Sequence, residues 1–292
     1  MSISDTEETY QLFKNTIHSN GHNKGEKEEA LVLGKLYYWN ETHQYHELVE
    51  IFGDEAEEGL QLIHMETDVI INGFNQIKKA KGMFKADCII EFNKTGRRIK
   101  PSIKYKNGGV PSVMNHQRRD QPVFQKGGPL YYLLPNIDTL VCKYHQLRDQ
   151  GLPEEIMFGE LDNFLSQDDK DTLVELVWYF MFRGTGNSSS KQTADSLIII
   201  DKSVKFIKLN GKEDQIEYIK NNWELFNLSL ISRKNLKKLK FKDEVQSKCG
   251  TDPKYKQKIE LMKPWIYETT DNGRNNPENK IKLKMALHIR MK

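Results

Sequence analysis

The stretch Lys85-Ala86-Asp87-Cys88-Ile89-Ile90-Glu91-Phe92, followed by Asn93-Lys94-Thr95-Gly96-Arg97-Arg98 and Ile99-Lys100-Pro101-Ser102-Ile103-Lys104-Tyr105-Lys106, decides how this chain reads. Two apolar runs flank a polar turn containing a glycine, which is the pattern of a β-hairpin over 86–106. Asp87 opens the first run and Lys104 lies on the second. A hairpin would let the two side chains converge. A carboxylate holds a hard divalent cation and an ammonium orients or activates a water, so the pair suits phosphodiester hydrolysis. The plain alternative is an ordinary hairpin with surface charges. Glu91 shares the face of Asp87 by strand alternation, either as a further ligand or as a solvated strand residue.

Upstream, residues 26–39 are expected to be helical. Glu26, Glu29, Ala30, Leu33, Leu36 and Tyr37 fall on one face at 3.6 spacing, with Gly25 just before it. Residues 55–80 are expected to form a second helix, with Leu60, Ile63, Val69, Ile70, Phe74 and Ile77 apolar and lysines near its end. Downstream, 136–150 and 154–166 read as helices. Residues 171–182 read as a buried helix or strand, 197–209 as a second hairpin and 213–226 as a helix. Alternation from Ile281 to Met291 reads as a strand with one buried and one basic face.

Helix with Glu29, helix, Asp87 strand, turn, then Ser102-x-Lys104 strand: this order over residues 25–106 resembles the PD-(D/E)XK nuclease superfamily, whose best-known members are the Type II restriction endonucleases. The resemblance implies an α/β fold, a central mixed β-sheet flanked by helices, with a C-terminal α+β extension. It implies a nuclease core over 1–150 and an α+β part over 151–292 with basic DNA-binding strands, or one continuous domain. Asp87 matches the family's first acid and Lys104 its lysine. Ala86 replaces the proline, and Ser102 stands where the second acid belongs. The implied site has Asp87 and the Ile103 carbonyl holding Mg²⁺, with Glu29 as a recruited helper. Glu29 otherwise borders the core or favours the helix start by its charge.

The segment after the lysine holds Lys106, Asn107, Ser112, Asn115, His116, Gln117, Arg118 and Arg119. Asn, Gln and Arg read base edges and Lys holds phosphates, so it is a candidate DNA-reading segment or a solvated loop. The run beginning Arg233-Lys234 is a candidate phosphate track or a basic helix face. Residues 201–292 carry 22 Lys+Arg against 12 Asp+Glu, whereas the whole chain is only +3. That asymmetry suits a polyanion partner or a lysine-rich surface.

Other chemistries are excluded or unsupported. No run of apolar residues is long enough for a membrane span. The polar, acidic start is unlike a signal peptide, and three scattered cysteines suggest a reducing cytoplasm with neither disulfide framework nor zinc site. The glycine-rich Gly184-Thr185-Gly186-Asn187-Ser188-Ser189-Ser190-Lys191 lacks the glycine before the lysine and the Ser/Thr after it, so no nucleotide cofactor is expected. Together these readings lead to the expectation of a Mg²⁺-dependent, sequence-specific double-stranded DNA endonuclease acting as a homodimer. A structure-specific or repair nuclease of the same superfamily, and a non-catalytic DNA-binding protein, are the alternatives.

Overall fold

A computed structural model describes residues 3–20, 24–78, 84–106, 110–184, 193–231, 265–270, 280–284 and 286–292. Along the chain run α1 (Ile3–Ser19), α2 (Lys24–Glu41), α3 (Tyr45–Phe52), β1 (Leu60–Ile63), β2 (Ile89–Phe92), β3 (Arg98–Ile99), β4 (Pro101–Tyr105), β5 (Ser112–Gln117) and α4 (Leu134–Asp149). Then follow β6 (Ile156–Met157), α5 (Phe158–Leu161), α6 (Gln167–Trp178), β7 (Ser196–Ile200), β8 (Val204–Lys208), α7 (Lys212–Asn221), β9 (Phe226–Ile231), β10 (Ile266–Thr270), β11 (Lys280–Lys284) and β12 (Ala286–Met291). The fold is mixed α/β, built of several small sheets and helices rather than one central sheet. Its compact units are Met1–Pro111 with Trp178–Tyr218, and Ser112–Val177 with Ile219–Lys292. The sequence reading had set its boundary at residue 150.

In the first unit β1, β2 and β3 pair antiparallel, while β4 pairs parallel with β7 and β7 antiparallel with β8. The 86–106 hairpin is therefore only half right. Its second arm is interrupted at Lys100: Ile99 still faces Ile90, but from Pro101 onward the chain pairs with β7. Pro101 has no N–H to continue a ladder, and the Lys100 N–H is taken by Asp195 Oδ1 at 2.7 Å. The unit thus holds two three-stranded sheets, β1-β2-β3 and β4-β7-β8, with β3 and β4 consecutive in the chain. β7 is buried throughout, which is how a strand covered on both faces reads.

The helix expected over 55–80 is not formed. Gly59 has φ 81° and Asp68 φ 55°, both left-handed, and between them β1 pairs with β2. Both residues break helical geometry. The apolar residues assigned to one helix face instead reach the core from a strand and loops: Leu60, Ile63, Phe74 and Ile77 are buried, while Val69 and Ile70 are exposed. α2 starts one residue before Gly25, not after it. α1, unforeseen, lies against α2, with Tyr10 stacked on Tyr38 at 4.8 Å between ring centroids. Leu36, Leu48, Ile90, Phe92, Ile103 and Ile198 fill the core beneath, each worth about 1.5–3 kcal/mol by burial.

In the second unit β5, β12, β9 and β6 form one antiparallel sheet in that order. β12 is buried on both faces over most of its length, so its alternation does not divide a buried face from a basic one. Ala286, Leu287, His288, Ile289 and Met291 are all buried, and the half-exposed Arg290 pairs with Glu155 at 2.8 Å. Residues 154–166 are not one helix: β6 and the single turn α5 occupy them, and the long helix α6 begins only after Ser166. β10 and β11 form a separate antiparallel pair. No described helix is long and apolar enough to cross a membrane.

Candidate active site

Asp87 is held where the first unit's sheet changes partner. Its backbone N–H donates to Pro101 O at 2.9 Å and its Oδ2 accepts the Ile103 N–H at 2.6 Å. One carboxylate oxygen therefore accepts a β4 backbone N–H on the side where β2 no longer pairs. On β4, Ser102 and Lys104 share a face by alternation. Lys104 Nζ donates to Ser102 Oγ at 2.8 Å and lies 3.4 Å from the Ile103 carbonyl. Ser102 is buried, and its hydroxyl supplies a neutral acceptor for the lysine. Asp87, Ser102, Ile103 and Lys104 are all brought together, although Lys104 does not lie on the pairing partner of the strand after Asp87.

Sequence reasoning missed two residues here. Lys85 precedes Asp87, and Ala86 and Cys88 are fully buried while Lys85 and Asp87 are half-buried. Burial pushes the Lys85 ammonium down to about 8; Lys104 lowers it further and Asp87 opposes. Asp195 leads into β7, with its N–H on Lys100 O at 3.0 Å and its Oδ1 accepting Lys100 N–H and Ser196 Oγ–H. It clamps the starts of β4 and β7. Burial, then the negative charges of Asp87 and Asp195, push the Cys88 thiol well up, so it stays protonated and offers no soft metal ligand.

Glu29 is half-buried on α2. That helix packs against β4, and at its start Lys24 Nζ lies 5.6 Å from the Tyr105 ring centre. Among the described residues no three of His, Cys, Asp and Glu gather as a metal-holding group, so Glu29 and Asp87 are not part of a ready carboxylate cage. The donors that do meet are the Asp87 carboxylate, the Ile103 carbonyl and the Ser102 hydroxyl. All are hard oxygens. That set fits Mg²⁺, which binds through one or two carboxylates and keeps waters and substrate phosphate oxygens. Glu91 forms an ion pair with Arg98, its partner across β2 and β3, and is an ordinary strand residue.

Lys106 ends the β4 side of the site, its N–H on Ile200 O at 2.7 Å, and its side chain is half-buried. Asn107, Arg233 and Lys234 lie outside the described residues. The other candidates belong to the second unit. Ser112, Asn115, His116 and Gln117 form β5, with Ser112 and Asn115 exposed. Ser112 Oγ is 3.1 Å from His288 Nε2, and the His116 ring stacks on His288 at 4.5 Å. His116 takes a left-handed φ of 49°, at a register shift of the β5–β12 pair. Arg118 pairs with Asp120 at 3.0 Å. Arg119 makes a two-pronged contact with Asp138, Nε to Oδ1 at 2.8 Å and an η nitrogen to Oδ2 at 2.7 Å. Asp138 Oδ1 also accepts the Trp265 indole N–H at 2.8 Å. Arg119 is thus committed within its own unit.

No protein-family model, curated protein or solved structure matches this chain.

Proposed function

We propose that this chain is a Mg²⁺-dependent endonuclease that hydrolyses phosphodiester bonds in double-stranded DNA, a Type II restriction enzyme of the PD-(D/E)XK kind. The observation that carries the reading is the seating of Asp87 on the Ile103 N–H beside Ser102 and Lys104, at the point where an antiparallel strand pair gives way to a parallel one. The mixed α/β character of the unit, with α2 against β4, supports the reading.

In this reading Asp87 and the Ile103 carbonyl hold Mg²⁺. When bound, the cation polarises the phosphoryl oxygen and neutralises charge on the leaving 3′ oxygen. Lys104, kept in place by Ser102 Oγ, orients the attacking water and stabilises the hydroxide character it gains. Water oxygen bonds to phosphorus as the bond to the 3′ oxygen breaks, leaving a 5′ phosphate and a 3′ hydroxyl. Ser112, Asn115 and Gln117 on β5 are the candidates for base contact, and a palindromic target would be met by a two-fold dimer. The cytoplasm is the proposed compartment.

The test is digestion of a sequenced phage DNA with and without Mg²⁺ by wild type, Asp87→Ala and Lys104→Ala. Discrete bands that need Mg²⁺, with each variant slower by at least about 100-fold, are expected. The neutral Ser102 and the lack of a three-acid group among the described residues favour a second reading, a DNA-binding protein without cleavage. Uncut DNA with a salt-dependent gel shift would establish that one instead.

A further inference from the structure

Asp195 holds both backbone groups of one residue at the head of β4. Its N–H donates to Lys100 O at 3.0 Å, and its Oδ1 accepts the Lys100 N–H at 2.7 Å. A carboxylate on an N–H is a charge-assisted bond, stronger than a ladder bond. The contact lies just before Pro101 faces Ser196, the first register position of the β4–β7 pair. The opposite edge of β4 meets Asp87, through Pro101 O at 2.9 Å and the Ile103 N–H at 2.6 Å. Residues 100–103 are thus gripped from both edges by two aspartates, and Ser102 and Lys104 lie on that length of strand. The clamp is itself braced. Asp195 Oδ1 also accepts the Ser196 hydroxyl at 2.9 Å. The preceding Ala194 donates its N–H to Phe182 O at 2.8 Å, and its carbonyl accepts from Gln215 Nε2 at 3.2 Å. Gln215 is buried, and its Oε1 takes the Trp178 indole N–H at 2.9 Å.

We infer that Asp195 is a positioning residue of this site: it fixes the height of β4, so that Ser102, Ile103 and Lys104 stand level with Asp87, and thereby sets the rate of the cleavage step. The rate rests on the nuclease reading; the placement rests on the bonds alone. Residues along a strand are about 3.3 Å apart, and a slip of one residue turns every side chain to the opposite face. Pro101 has no N–H with which to hold the register, so the Lys100 clamp holds it one residue earlier. A misplacement of about 1 Å at a reacting group costs about 100-fold in rate. Asp195→Asn keeps an oxygen acceptor for the Lys100 N–H, and Asp195→Ala removes it.

The experiment compares wild type, Asp195→Asn, Asp195→Ala and Gln215→Met on one duplex, by equilibrium affinity without divalent cation and by single-turnover cleavage with Mg²⁺ and enzyme in excess. D195A should cut about 10- to 100-fold more slowly while binding within about 3-fold of wild type, and D195N should recover the rate to within about 3-fold. A merely structural loss lowers the fraction of DNA cut and leaves the rate constant of the folded enzyme alone. D195A with the wild-type rate constant, or D195N as slow as D195A, would therefore overturn the assignment, while cleavage by wild type leaves the nuclease reading standing. Should D195A not fold, Q215M takes its place: it should cut about 3- to 10-fold more slowly, and a wild-type rate would overturn the assignment. If wild type does not cut, the nuclease reading fails, and amide hydrogen exchange followed by mass spectrometry decides the placement. The amides of 100–105 should then exchange about 10-fold faster in D195A, or in Q215M if D195A does not fold, than in D195N, with β1 unchanged. Equal exchange, or an increase of the same size in β1, would overturn it.

Discussion

Arg119→Ala separates a DNA-reading arginine from a structural one. Both side chains of the Arg119–Asp138 pair are mostly covered, at 17% and 19% exposure, and the contact is bidentate. Removing the guanidinium leaves Asp138 with the Trp265 indole N–H as its remaining described partner; Trp265 itself is fully buried and packs edge-on against Phe124 at 5.7 Å. Hydrogen bonds to charged groups are worth about 1.5–3 kcal/mol, and breaking a fully buried pair costs about 3–5 kcal/mol. Residual exposure puts this pair below that limit, so the expected loss is about 2–4 kcal/mol. At roughly 3 °C per kcal/mol the melting temperature should fall by about 6–12 °C. Arg119→Lys keeps the charge but not the fork, and should recover about half of the loss.

The assay is urea and thermal unfolding followed by tryptophan fluorescence, since Trp265 reports from the site itself. Two compact units allow two transitions, and the shift belongs to the one that carries the Trp265 signal. A variant that melts within about 1 °C of wild type yet loses DNA affinity would refute the reasoning: the guanidinium would then face nucleic acid and not Asp138.

Two further perturbations probe how the helices are set. At the start of α6, Ser166 Oγ donates to Asp169 Oδ2 at 2.6 Å and faces the Asp169 N–H at 3.3 Å, while Lys143 pairs with the same carboxylate. Ser166→Ala should cost about 1 kcal/mol in urea unfolding. Burial raises the Asp169 pKa, but the bonds from Lys143 and Ser166 outweigh it and hold the carboxyl below its usual value. Its contribution is therefore present above the unfolded value of about 4 and lost as pH falls through the lower folded value, so Asp169→Asn should flatten the acid limb of the stability profile. An unchanged acid limb would contradict the pairing. In α2, a Cβ on Gly34 would run into the Phe13 ring, and that ring lies 5.4 Å from Phe74. Gly34→Ala should cost about 1–3 kcal/mol and speed proteolysis of α1; an unaltered cleavage rate would mean that α1 is not docked there.

What was legible in the chain was local. The 3.6 period of α2, the apolar runs of β7 and β8, and α4 needed only neighbours along the sequence to declare them. The stretch 55–80 failed because periodicity counts apolar spacing and ignores backbone sign: Gly59 and Asp68 each sit at positive φ, and a helix cannot pass through either. The C-terminal alternation is strand, but it is divided between β11 and β12, which lie in different sheets. On β12 the supposed basic face buries Ala286 and His288 and leaves Arg290 half-exposed, and the strand's partners β5 and β9 lie 55 or more residues away in sequence.

The site shows the same division. Asp87 and Ser102-x-Lys104 could be picked out because their order and spacing are local. Their geometry was misjudged, since the expected hairpin put Lys104 opposite the strand of Asp87, whereas Pro101 ends that ladder and hands the chain to β7. The residue that makes the hand-over possible, Asp195, is 95 positions beyond the Lys100 N–H it accepts, and nothing near it in the sequence announces the contact. Once the strand is broken there, Asp87 gains the Ile103 N–H as a seat and Lys104 takes the hydroxyl of Ser102. An acid at position 102 would have met Lys104 with a full charge, where the serine meets it with a neutral hydroxyl.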